Sequence, residues 1–377
     1  MGKDELALAM SGGGARAAYQ VGFLRCLAHH YPDLHIPILT GVSAGAINAA
    51  YLASHSETFL DKAEVLIKLW EGLTTDHIFR VDPLSIAANV LRWGMRLLMG
   101  RASYAIRARS LLSTQPLQSL LEHVLHPMDG EIPGIERNLA RGDLKAVAIT
   151  ASNYSTGQSI TWVQGRQITH WERAHRKSVP CPIGLDHILA SVSLPLFFPA
   201  VQIGNCWYGD GSIRLTAPLS PAIHLGASRI LAISTHYGRS REEADCPNID
   251  GYPPPVQVAG ALLNAIFLDV FDADALRLQR VNKLIAKLPE EEREGLRPIK
   301  MLLLRPSQDL GKLANEYEPR LPRAFRFMIR GLGTGETRSN DLLSLLMFQP
   351  DYLKRLIELG QEDAEARREE IASFLAE

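Results

Sequence analysis

The chain has 377 residues, 46% of them hydrophobic, enough to bury a large core in one big α/β domain or in one and a half domains. Its 40 basic and 41 acidic side chains cancel to a formal charge of -1, so the molecule as a whole offers no electrostatic case for nucleic-acid binding. Four widely spaced cysteines (Cys26, Cys181, Cys206 and Cys246) form no CxxC or Cys/His pair with metal-ligand spacing. Zinc is therefore not expected, and a reducing compartment suits the thiols; no cofactor is expected either.

Lys3, Asp4 and Glu5 precede only five apolar residues, which is too little for a signal peptide. Leu6 to Met10 is a short apolar run that stops at Ser11-Gly12-Gly13-Gly14, and helix-forming sequence follows from Ala15 to about His30. This reads as strand, Gly loop, helix. Ile36 to Val42 is a second strand, broken at Gly41-Val42-Ser43-Ala44-Gly45 and followed by a small-residue helix from Ala46 to Ala53. Leu84 to Leu121 is helical in pattern and carries Arg92, Arg96, Arg101, Arg107 and Arg109 with no acidic residue. Leu144 to Ala151 is a third strand, with Ser159 to Val163 placed beside it. Val201 to Tyr208 runs into Gly209-Asp210-Gly211. Pro218 to Leu225 reads as helix, and Arg229 to Thr235 and Ile299 to Leu304 read as strands. From Gln257 onward the pattern is mainly helical and ends in the charged stretch Gln361 to Glu377.

Strands alternating with helices predict an α/β fold, a mostly parallel central sheet covered on both faces. No apolar run reaches the roughly 18 to 20 residues of a transmembrane helix. The longest candidate, near Val258 to Leu268, is short and carries Asn264. A cytoplasmic protein is expected. The Arg-rich stretch 84–121 has two readings: a cap that makes peripheral contact with anionic lipid, or a helix pair packed on the core with a basic outer face.

Three short motifs bear on chemistry. Gly41-Val42-Ser43-Ala44-Gly45 fits G-x-S-x-G, between an apolar strand and an Ala-rich helix. A serine on such a tight turn projects its Oγ above the sheet, and the next helix N-terminus points at the reacting centre. Read alone, the pattern is also an ordinary Gly-flanked turn. Gly12-Gly13-Gly14-Ala15-Arg16 can bring backbone N–H groups close to an oxyanion, or can simply turn the chain. It lacks the Lys-Ser/Thr of a phosphate loop and the G-x-G-x-x-G spacing of a dinucleotide site, which makes a nucleotide the weaker reading. Arg16 is either a surface residue or an anion contact. Among twelve histidines none stands at a strand end aimed at Ser43; His187, His224 and His236 fall where a triad histidine would be placed. Asp210 instead ends an apolar segment between two glycines, and a carboxylate within hydrogen-bond reach of a serine can act as its general base. A plain Asp-Gly turn is the alternative.

Together these motifs resemble one family. Ser11 to Leu24 (SGGGARAAYQVGFL), Thr40 to Ala50 (TGVSAGAINAA), Ala190 to Pro199 (ASVSLPLFFP) and Gly209 to Ser212 (GDGS) are similar to the patatin-like phospholipases in content, order and spacing, over about residues 5 to 235. The resemblance implies a helix-sandwiched parallel sheet and hydrolysis of acyl esters of phospholipids, lysophospholipids or neutral lipids without a metal, of which phospholipids or lysophospholipids are the expected substrates. It makes Ser43 the nucleophile and Asp210 its base. It assigns the oxyanion hole to Gly12, Gly13 and Gly14, with Arg16 at the basic position of that loop. Two positions depart from the family pattern: Ser212 replaces the usual Gly or Ala after Asp-Gly, and Ala17 replaces the Gly after Arg16. The expected organisation is a hydrolase domain over 1–335, with a helical insertion at about 75–130, and a helical C-terminal extension over 336–377. The competing functions are a non-catalytic or regulated lipid sensor on the same fold and a carboxylesterase with a histidine base. None of the motifs encodes a head group, a chain length or an oligomeric state.

Overall fold

The computed structural model describes residues 5–80, 91, 110, 112–245, 252, 258, 260–262, 265, 269–322, 325–327, 330 and 339–376. Its strands are β1 Leu6–Met10, β2 Ile38–Val42, β3 Ala146–Asn153, β4 Ser159–Gly165, β5 Glu172–Arg173, β6 Arg176–Pro180, β7 Val201–Ile203, β8 Cys206–Asp210, β9 Arg229–Ile233 and β10 Lys300–Leu304. They form one sheet in the order β10-β9-β1-β2-β3-β4-β6-β5, with β8 joined to β3 and β7 to β8. From β10 through β3 every pairing is parallel. The antiparallel pairings lie beyond, where β3 meets β4 and β8, β5 meets β6 and β7 meets β8. The fold is the mostly parallel α/β sheet that the alternating elements imply.

Strands buried on both faces need apolar side chains throughout rather than every second one. β1 illustrates this. Leu6, Leu8 and Met10 enter one core, Ala7 and Ala9 the other. The first core is closed by α1 (Ala18–His30), α2 (Ala44–Ser54), α3 (Phe59–Glu71), α4 (Gln115–Leu125), α5 (Pro133–Arg141) and α6 (Leu185–Val192). The second is closed by the short helix Ser220–His224 and by α7 (Asp269–Ile285). Val201 to Tyr208, which reads as one run in the sequence, is instead a hairpin. It turns at Gly204, whose φ of 58° suits a residue without Cβ.

Towards the C-terminal end come α8 (Leu310–Tyr317), α9 (Asp341–Leu346), α10 (Pro350–Ala366) and α11 (Arg368–Ala376). α10 joins the first core through Tyr352, Leu353, Leu356 and Ile357. It lies directly on α1. A Cβ at Gly22 would stand 1.9 Å from the Ile357 carbonyl oxygen, and one at Gly360 2.1 Å from that of Tyr19. Two facing glycines thus let the helix backbones touch.

The five arginines of the 84–121 stretch lie outside the described residues. Its last part, in α4, buries Leu117 and Leu121 in the core. Among the described residues no helix is long and apolar enough to cross a membrane.

Candidate active site

The register of β3 brings the two distant motifs together. β2 runs parallel to β3 and its last residue, Val42, lies opposite Thr150. β8 runs antiparallel to β3 and its last residue, Asp210, lies opposite Ala151. Consecutive residues of one strand therefore receive the two C-terminal ends, and Ser43 and Asp210 meet where β2 and β8 abut. β1 ends level with β2, Met10 opposite Gly41, which delivers the Gly loop to the same point. Glycine is required at this crowded junction. A Cβ at Gly211 would stand 2.1 Å from the Thr150 oxygen, and one at Gly12 2.9 Å from Ser212 Oγ and 3.0 Å from Ser43 Cβ.

Ser43 has φ 54° and ψ -132°, a backbone state that only glycine adopts freely. Buried hydrogen bonds hold it there. Its N–H donates to Ser191 Oγ at 2.9 Å, and Ser191 Oγ donates to the Thr150 carbonyl at 2.7 Å. The same segment fixes the other motif, because the Asp210 N–H donates to the Ser193 carbonyl at 2.9 Å.

Asp210 is fully buried. Its Oδ1 accepts from the Ser212 N–H at 2.9 Å. Burial pushes its pKa up to about 6, while the nearby hydroxyl of Ser43 and the N–H and hydroxyl of Ser212 draw it back down. Neither hydroxyl closes a well-aligned hydrogen bond on Oδ2, which has no partner among the described residues. The carboxylate thus holds one oxygen ready for a proton, in a site dry enough to make that proton welcome near neutral pH.

The Gly loop carries positive φ at Gly13 (147°) and Gly14 (53°). Thr235 Oγ1 donates to the Gly12 carbonyl at 2.6 Å, and Ser11 Oγ accepts from the Thr235 N–H at 3.1 Å. A trans peptide sets its C=O and N–H on opposite sides. Anchoring the Gly12 carbonyl on Thr235 therefore turns the Gly13 N–H the other way. No described residue accepts a hydrogen bond from the N–H of Gly12, Gly13 or Gly14. Beneath the loop runs a buried relay. Gln20 donates to the Ser11 carbonyl at 2.8 Å, Asn48 to Gln20 at 3.0 Å, and Trp70 to Asn48 at 2.9 Å.

An apolar cavity opens beside Ser43, walled by Gly13, Gly14, Ile47, Trp70, Leu121, Phe198, Leu346 and Phe348 among others. Arg16 is not in that wall. Its buried guanidinium turns to the C-terminal region, where Nη2 lies 2.6 Å from Asp341 Oδ1 and Nε donates to Ser344 Oγ at 2.5 Å.

All twelve histidines are described, and none lines the cavity. His187 Nδ1 accepts from the Gly184 N–H, and burial holds its pKa down at about 4. His224 stacks on Trp171, its pKa lowered by burial and by Arg176 and Arg173. His236 pairs with Asp272 through Nδ1 at 3.0 Å.

One described group has metal-ligand chemistry: Cys26, His30 and Glu365. Glu365 already receives His30 at 2.7 Å, Cys26 at 3.4 Å and Arg368 at 3.1 Å. The group sits at the far end of α1 from the Gly loop.

Sequence reading missed the supports rather than the motifs. Ser191 lies in the segment ASVSLPLFFP and Thr235 at the end of an apolar strand, so both had a positional signal. Gln20 and Asn48 had a weaker one, as polar residues within apolar helices. Asp341 and Ser344 had none.

A mostly parallel α/β sheet with a strained strand–turn–helix serine and a buried aspartate at its strand ends defines a small class of proteins. Residues 8–223 match the patatin-like phospholipase family, and the chain belongs to it. No curated protein matches the sequence. Among solved structures, human GIVD cytosolic phospholipase A2 is similar at 12% identity and a TM-score of 0.47, covering 99% of this chain and 60% of its own. VipD from Legionella pneumophila is similar at 12% identity and 0.35, covering 94% of this chain and 67% of its own. The type III effector ExoU is similar at 14% identity and 0.38, covering 97% of this chain and 53% of its own. The chain thus spans 60% of the length of the human enzyme.

Proposed function

We propose that this chain hydrolyses acyl esters of phospholipids or lysophospholipids through a Ser43–Asp210 dyad. The observation that carries the reading is the meeting of β2 and β8 on consecutive residues of β3, which sets a strained serine against a buried carboxylate with one unpartnered oxygen.

Ser43 Oγ attacks the ester carbonyl while Asp210 Oδ2 takes its proton. The N–H groups of the Gly12–Gly14 loop receive the oxyanion, favoured by a dry site and by the helical turn that follows the loop. The C–O bond to the alcohol breaks, and Asp210 returns the proton to the departing oxygen. Asp210 then takes a proton from water, whose oxygen attacks the acyl-Ser43. The fatty acid leaves and the proton passes to Ser43. The apolar cavity holds the acyl chain. In this reading residues 1–335 are the hydrolase domain, with a helical insertion at about 75–130, and residues 336–377 are a helical C-terminal extension. A histidine base has no support in the geometry, because no histidine lines the cavity.

Release of free fatty acid from a phospholipid and lysophospholipid panel, with fluorophosphonate labelling alongside, tests the proposal. Ser43→Ala and Asp210→Asn should each lower turnover by about a thousandfold or more, and Ser43→Ala should abolish labelling. His187→Ala, His224→Ala and His236→Ala should stay within a few-fold of wild type. A working Asp210→Asn enzyme, or a folded but dead single histidine variant, overturns the dyad.

A further inference from the structure

The C-terminal residues from Asp341 onward carry no catalytic motif and lie beyond residues 8–223. Yet α9 touches the Gly loop in three ways. One is backbone on backbone. Gly14 has φ 53°, and the Leu345 carbonyl oxygen lies 2.2 Å from where its Cβ would be, so that carbonyl can pack on the loop only because Gly14 has no side chain. The second is ionic. The Arg16 side chain is 3% exposed and is paired with Asp341, while its Nε donates to Ser344 Oγ. Ser344 Oγ in turn donates to the Asp341 carbonyl at 2.8 Å, which closes a ring of bonds around the guanidinium. The third is apolar. Leu345, Leu346 and Phe348 stand in the wall of the cavity that Ser43 faces.

A buried cation is tolerated only when it is paired and hydrogen-bonded. Arg16 therefore cannot leave Asp341 without reaching water or another anion, and the first turn after the Gly loop follows α9. On the opposite side Thr235 fixes the Gly12 carbonyl. The loop is thus held at both ends. Thr235 sets the orientation of its first peptide, and α9 sets the position of its last.

We infer that Arg16 and Asp341 are positioning residues for the oxyanion loop, and that α9 is a working part of the active site rather than an appendage. This rests on the hydrolase reading above. Arg16 acts through the loop backbone and does not itself contact the oxyanion.

The test uses the full chain with Asp341→Asn, Asp341→Glu and Ser344→Ala, and reads three quantities. Asp341→Asn leaves shape and removes charge. It should lower kcat on a short-chain ester by about tenfold or more with KM within threefold, because the defect is met in the transition state. Asp341→Glu should recover part of that loss. Amide hydrogen exchange over Gly12–Ala17 should quicken about tenfold in Asp341→Asn while β3 amides keep their protection. Should Asp341→Asn fail to fold, Ser344→Ala removes the bond to Arg16 Nε and should move kcat and loop exchange in the same direction by less. Unchanged exchange in the loop overturns the inference, and so does a looser loop with unchanged kcat. A wild-type chain that neither cleaves an ester nor takes the fluorophosphonate label overturns the hydrolase reading instead. The exchange comparison then still decides whether Asp341 holds the loop.

Discussion

Ser43, Asp210 and the Gly12–Gly14 loop come from residues 6–235, at turns that follow a strand. The helices from Asp341 to Ala376 contribute core packing, an ion pair to the buried Arg16 and part of the cavity wall, but no residue of the proposed dyad or oxyanion loop. The difference follows from what each task demands of the backbone. Presenting a nucleophile or an N–H group needs unusual dihedral angles and close backbone approach, which restricts residue types locally and leaves a motif. Holding those turns in place needs only well-placed contacts between ordinary residues far apart in the chain. The proposed chemistry is written in short range here, and the proposed positioning in long range.

This comparison breaks if a group beyond residue 235 titrates with the reaction. Asp210 ordinarily ionises near 3.8 and is raised to about 6 by burial. As the proposed general base it must be deprotonated. Turnover over pH should therefore rise tenfold per unit below 6 and level above it, a change of roughly a hundredfold between pH 4 and pH 7. The inflection should not move in His236→Gln. If removing His236, whose partner Asp272 lies in α7, erases the inflection, the proposed chemistry is not confined to residues 6–235.

Within the first region the same division reappears at smaller scale. Ser191 bears no reacting atom, yet its hydroxyl is the acceptor for the Ser43 N–H. Ser191→Ala would leave that N–H and the Thr150 carbonyl buried without this partner, a penalty of about 1–3 kcal/mol. Part of it falls on the strained turn. We expect kcat for ester hydrolysis to drop about tenfold with little change in KM, and Ser191→Thr to restore much of it. A Ser191→Ala enzyme of wild-type kcat would show that the strand and helix alone hold the turn.

The sheet was readable because strands buried on both faces must be apolar throughout, so each parallel strand announces itself as a short continuous run. The hairpin at Gly204 was not, because two short strands around a tight turn also look continuous. The approach of Asp210 to Ser43 was readable only through resemblance. Nothing local says that β8 takes up β3 where β2 leaves off; that is a matter of register between strands far apart in sequence. Arg16 shows the limit most plainly. Its place in the loop suggested an anion contact, but its partner is more than three hundred residues away, in a helix with no signature.

The smallest expected effect concerns the strain itself. Ser43 holds φ 54° with a side chain, whereas Gly22 and Gly360 sit in ordinary helical backbone and owe their identity to crowding between α1 and α10. The Ser43 turn thus answers to dihedral angle, and the Gly22–Gly360 pair to space. Removing the hydroxyl by Ser43→Ala keeps the Cβ and the strain, while Ser43→Gly removes both. The glycine variant should therefore be the more stable of two inactive proteins. The difference should be about 1 kcal/mol, at the lower end of the cost of such a backbone state, because glycine also gains freedom in the unfolded chain. Urea unfolding of the two variants at pH 7 measures it. If Ser43→Gly is the less stable, the surrounding bonds from Ser191 carry the turn without strain, and the first region is held together much as the second is.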